Sequence, residues 1–219
     1  MRVQSLLALA TLAFATVAFA QSEICINGVV PNPDPNIVEP CIPDAFQVRY
    51  ASNLNKGDSV INITNTGSDA PKGDNICVNV YTFDPSEEMV SCCSCLVTPN
   101  ALVSLSVQGD LISNTLSPST PTSVVIKLIA ARPIDETLCN AGGPEATLVP
   151  GMRAWGTTLH ALPGTPATYG LTEGRFLNGG LSIAEFVHLT QFCGFINANG
   201  SGFGICKSCR SGGLGGAKQ

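Results

Sequence analysis

The chain reads as an all-β, or β-dominated, protein. The expected architecture is a disulfide-stapled antiparallel β-sandwich of about seven or more strands, with one short C-terminal helix and a cysteine-rich tail. Three observations predict it. Short β-branched segments alternating with period two recur between turns rich in glycine, proline, asparagine and serine. Only 12% of the 219 residues are charged, about half the usual share, so serine, threonine, asparagine and glycine must supply the polar surface. Ten cysteines, finally, follow a segment shaped like an export signal.

That segment is Met1-Arg2 followed by an apolar run, with Ala18-Phe19-Ala20 as a small-x-small cleavage site. It predicts a signal peptide over 1–20 and a mature start at Gln21. No later stretch reaches the length of a bilayer span. No cysteine stands at the cleavage point and the sequence closes on Gly-Gly-Ala-Lys-Gln, so no lipid anchor is expected. The net charge is -5 and the basic residues are dispersed, a balance that argues against nucleic acid or anionic lipid as partner. The expected place is secreted or periplasmic, with cell-surface association open.

Residues 21–44 carry Pro31, Pro33, Pro35, Pro40 and Pro43, a density that excludes a helix or a central strand and predicts an extended arm. The β-sandwich domain is expected over 45–180. Its first strands fall at 46–52, 59–64 and 76–83. In the third, Ile76, Val78 and Val80 share one side while Cys77, Tyr81 and Phe83 share the other. Bulk on both sides predicts a strand covered on each face. Asp84-Pro85-Ser86-Glu87 has the form of a helix start, with a capping aspartate, proline at the first helical position and a returning carboxylate. One or two helical turns are expected from there through Cys92. Val103, Leu105 and Val107 alternate with polar residues as a half-buried strand. Further strands are expected at 123–130, 155–162 and, more weakly, 170–176.

The period changes after Gly179-Gly180. Ser182-Ile183-Ala184-Glu185 is a capping box, and Ile183, Phe186, Val187, Thr190 and Cys193 recur at three- and four-residue spacing. This predicts a helix over 183–196. Together with the cysteines that follow it forms a staple, 181–209, packed on the same domain. A flexible glycine-rich tail is expected over 210–219.

Cys25, Cys41, Cys77, Cys92, Cys93, Cys95, Cys139, Cys193, Cys206 and Cys209 read first as five disulfides, because an exported chain meets an oxidising space. Spacing alone does not give the connectivity. The clustering suggests that Cys92, Cys93 and Cys95 hold Cys193, Cys206 and Cys209 by up to three bridges. Cys25 with Cys41, and Cys77 with Cys139, would complete the set. Cys92 and Cys93 should not pair, since neighbours close a strained ring. The rival is a four-thiolate metal site from Cys93, Cys95, Cys206 and Cys209. The export context opposes it, and Cys206-Lys207-Ser208-Cys209 does not open a long helix as a redox pair would. No cofactor is expected.

Asp84, Glu87 and Glu88, with Asp74 or Asp110 as further oxygen donors, are weak Ca²⁺ candidates. No Asp-x-Asp-x-Asp-Gly loop accompanies them, and an acidic first helical turn accounts for the same residues. Two histidines, His160 and His188, and the acids Glu173, Glu185, Asp135 and Glu136 are the material for a secreted hydrolase. No Gly-x-Ser-x-Gly elbow or His-Glu-x-x-His motif supports one. The expected function is therefore a non-enzymatic structural or protein-interaction β-domain at the cell surface or in the periplasm. A protein partner or self-association is in keeping with that role. The alternatives are a filament subunit assembled by strand addition, a module for Ca²⁺ or a small ligand, and a hydrolase.

Overall fold

A computed structural model describes residues 42, 44–68, 74–143 and 147–209. The expected signal peptide, most of the arm with Cys25 and Cys41, and the tail lie outside the described residues.

Among the described residues, nine strands build two antiparallel sheets. They are β1 (Phe46–Ala51), β2 (Val60–Asn65), β3 (Ile76–Phe83), β4 (Met89–Val97), β5 (Leu102–Ser106), β6 (Val124–Ala131), β7 (Met152–Leu162), β8 (Thr168–Arg175) and β9 (Leu177–Asn178). The first sheet has the order β4-β3-β6-β1-β9 and the second β5-β2-β7-β8. One α-helix, α1 (Ile183–Ala198), lies against the outer face of the first sheet.

Alternation decides what each side chain meets. In β2 and β5 the pairs Ile61↔Leu105 and Ile63↔Val103 put four apolar residues on one face. They pack against Val78, Val80, Ile126 and Leu128 of the first sheet. Fully burying a side chain of this kind contributes about 1.5–3 kcal/mol, so this inter-sheet layer is the main stabilising mass. The opposite face of the first sheet carries Phe46, Tyr81, Cys92 and Ile129, which pack with Leu189, Cys193 and Ile196 of α1. Each residue of β3 is consequently buried, as its two bulky sides predict.

The structure departs from the sequence reading in four places. Asp84–Glu88 is not a helix start but the turn of the β3–β4 hairpin. Asp84 Oδ1 accepts from the N–H groups of Ser86 and Glu88, and Glu87 takes a φ of 67°. A capping aspartate and a following proline serve a turn as well as a helix, and pairing with β3 draws the next residues into β4. The strand through Val103 ends at Ser106. Val107–Leu111 form a π-helical turn whose first residue is capped by Ser106, its Oγ accepting from Gly109 N. The two-residue strand β9 has no sequence signal. The helix, lastly, is buried along Leu189, Cys193 and Ile196, whereas Ile183 and Val187 point outward. Apolar residues lie all round α1, so spacing alone offers more than one stripe. Its N-terminus behaves as a capping box on one side only: Ser182 Oγ accepts from Glu185 N, while the Glu185 carboxylate goes to Lys127 of β6.

Candidate functional site

The alternation of β4 separates its cysteines. Cys92 points toward α1 and bonds Cys193, with Cα atoms 5.7 Å apart. Cys93 and Cys95 point the other way, into the inter-sheet core, and bond Cys206 and Cys209. The C-terminal segment must therefore pass around the sheet edge. It does so as a strap against β4: Phe203 N donates to Cys92 O, Ser94 N to Gly204 O, and Cys206 N to Ser94 O. Gly202 makes that approach possible. Its φ is 68°, and a Cβ there would stand 2.8 Å from Cys92 O.

A carboxylate locks the strap from below. Asp110, buried in the π-helical turn, accepts from Ser208 N, Ser208 Oγ and Ser106 N. The two-cluster reading of the cysteines holds for these three bridges, and all four thiols of the rival metal site are consumed by two of them. A fourth bridge, Cys77–Cys139, ties β3 to the loop after β6. Nearby, Tyr81 donates to Ala141 O at 2.8 Å. Burial raises its phenol far above the ordinary range, against a smaller opposing effect of Asn79.

The acidic candidates do not converge. Glu87 and Glu88 are exposed, Asp84 is occupied by its own turn, Asp110 holds the strap, and Asp74 faces Arg132 at 3.7 Å. Among the described residues, no three His, Cys, Asp or Glu side chains are grouped as a metal site. Of the hydrolytic candidates, His188 and Glu185 approach each other, Nδ1 to Oε2 at 4.0 Å along α1, and the others lie apart from them. His160 Nε2 meets Thr172 Oγ1 at 2.8 Å on the β7–β8 hairpin, and His188 stacks on Phe192 on α1. Glu173 on β8 takes Asn62 while Glu185 on α1 holds Lys127 of the first sheet, so these two acids lie on different layers. Asp135 and Glu136 are exposed in a tight turn, both at positive φ.

Three surfaces remain that could bind something. A cavity of about 410 Å³ lies beside the Cys77–Cys139 bridge, with Asn79 and Ala131 among its lining residues and Ile134 and Leu138 beside them. Among the described residues, the outer edge of β8 has no neighbouring strand. Phe176 N bonds Ala154 O, and the alternation from that pair turns the N–H and C=O groups of Tyr169, Leu171 and Glu173 away from β7. Arg49 Nη1 caps the outward Arg175 O, with the end of its stem over Gly156 and its guanidinium over Gly174.

The third surface is the outward side of α1. Ile183, Phe192 and Phe195 are 64%, 47% and 56% exposed, and Ala184, Val187 and Ala198 are exposed with them. Only His188 and Gln191 interrupt this face, and it carries no Asp, Glu, Lys or Arg. The sequence contained the signal, since α1 is apolar on every side, but the expected stripe drew it inward. Helices apolar all round are normally buried all round. Among the described residues no helix is long and apolar enough to cross a membrane. In comparison with known proteins, no family model, no curated protein and no solved structure matches this chain.

Proposed function

We propose that the protein works in an oxidising space, secreted or periplasmic, as a non-enzymatic interaction domain that binds protein through the outward side of α1. One observation carries the reading: a helix fastened to its sheet by Cys92–Cys193 holds two phenylalanines, an isoleucine and a valine toward solvent. Contiguous apolar surface of this kind marks a binding site in a folded protein, and the disulfide fixes its geometry in advance, which lowers the entropy lost on docking. Carbene footprinting tests it. Phe192 and Phe195 should be labelled in dilute purified protein and protected in the protein's native exported setting. Equal labelling in both settings would remove the proposal.

A filament subunit assembled by strand addition is the second reading, favoured by the unpaired groups of Tyr169, Leu171 and Glu173. An exposed edge of this length is a template for another strand. If it is used, electron microscopy should show polymers from wild-type protein and none from Leu171→Pro, which deletes an outward donor.

A further inference from the structure

The outward side of α1 has an internal symmetry that a heterologous partner would not require. We infer that its occupant is a second copy of this chain, docked antiparallel about a two-fold axis through Gln191. This deepens the proposed reading of α1 and rests on it.

The spacing of residues along α1 points to a second copy. At about 100° per residue, the seam directly opposite the buried stripe runs Ala184, Val187, Gln191, Phe195, Ala198. Its steps are three, four, four and three residues, which keep the mean spacing of about 3.5 by which two helices hold one seam in contact. The sequence of steps reads the same in both directions from Gln191. An isologous pair needs this property, because residue i must meet j while j meets i. Antiparallel docking then sets Val187 against Phe195 of the other copy, twice. It sets Ala184 against Ala198 at both ends, where the small side chains let the backbones come close. Gln191 meets Gln191, and two amides can each donate and accept. A single polar residue in such a seam fixes register.

Charge agrees with the spacing. The chain is acidic overall, at -5, yet the seam carries no formal charge, so two copies meet there without apposing like charges. A 16-residue helix is about 24 Å long and about 10 Å across, which is less than the roughly 800 Å² per partner of a standard interface. The association should accordingly be weak, in the micromolar range.

Sedimentation analysis of the purified full chain over a concentration series provides the test, with Gln191→Glu and Gln191→Lys alongside. Gln191 is exposed, so both variants should melt where the wild type does. The wild type should form a dimer that dissociates on dilution. Each variant alone places like charges on the axis and should raise the dissociation constant about tenfold or more. An equimolar mixture should recover dimer, because Glu then faces Lys. A wild type that stays monomeric to about 100 µM, or a mixture no better than either variant, overturns the inference. If α1 is nevertheless protected in the native setting, the binding role of the helix stands and only the identity of its occupant falls.

Discussion

At the β4 edge of the sandwich, the outward groups of Cys92 and Ser94 are taken up by residues 203–206, and three disulfides hold the covering chain in place. At the β8 edge, among the described residues, the outward groups of Tyr169, Leu171 and Glu173 have no strand beside them, and Arg49 caps the outward carbonyl of Arg175. Both edges have the same backbone chemistry. They differ in what the sequence invests in them: six of the eight described cysteines, a buried aspartate and a close-approach glycine on one side, against two glycines that admit an arginine on the other. Covering an edge prevents unwanted pairing. Among the described residues nothing comparable covers the β8 edge.

The largest effect should come from removing the link between the clamped edge and the helix. Replacing Cys92 and Cys193 together by serine releases a constraint spanning 101 residues, worth up to about 4.7 kcal/mol on the chain-entropy estimate. Denaturant unfolding of the double variant should show a loss of several kcal/mol. A loss near zero would mean that the strap alone holds this edge.

Asp110 comes next. Alanine there removes a buried acceptor from three donors, Ser106 N, Ser208 N and Ser208 Oγ, whose bonds to it are part-buried. Hydrogen bonds to a charged group contribute about 1.5–3 kcal/mol each. Because Ser208 is exposed, water takes up its two donors, so the total loss should be about 2 kcal/mol. The two disulfides of the strap should still form, so peptide mapping should find them intact. Scrambled pairing would show that Asp110 guides the strap during folding as well as holding it.

These two predictions concern features of unequal legibility. The pairing of the cysteine clusters follows from their grouping in the sequence, although the segment through Cys92 reads there as helical turns. On the strand that forms instead, neighbouring residues point to opposite faces and take partners on both. Asp110 carries no such signal. Its role depends on a π-helical turn where alternation suggested a continuing strand, and on a tail that returns from nearly a hundred residues away. The hairpin at Asp84 was misread because the same residues that cap a helix also close a turn, and only pairing with β3 decides between them. The outward seam of α1 was present in the sequence but concealed by a second plausible stripe. What determines the choice is Cys193, whose bond to Cys92 fixes which side of the helix faces in.

Tyr81 offers a smaller perturbation beneath the helix. Phenylalanine removes the hydroxyl that donates to Ala141 O, at a cost of about 1 kcal/mol. Alkaline titration adds a signed test. Burial raises the folded-state pKa of Tyr81 above its unfolded value, so above about pH 10 the unfolded chain binds fewer protons than the native one. Its share of the stability is complete below that pH and declines as pH rises through the folded value. The difference in stability between wild type and Tyr81→Phe should therefore narrow, then reverse, with increasing pH. A pH-independent difference would place the hydroxyl in contact with solvent.

The smallest effect should fall on the open edge. Proline at 171 removes an N–H that the alternation from Phe176 turns away from β7, so no bond within the chain is lost. Leu171 is 61% exposed, and its side chain gives up little packing. The expected cost is below about 1 kcal/mol, in the range of surface substitutions. The adjacent Thr172 makes the control, since its N–H faces Thr158 across the ladder, and proline there should be several times more costly. On β4 the corresponding outward group, Ser94 N, is already bonded to Gly204 O and would be lost at similar expense. Thermal melts of the two β8 variants thus read the direction of each backbone group. A large loss for Leu171→Pro would mean that the β8 edge is already paired, in cis or by another copy, and the contrast between the two edges would disappear.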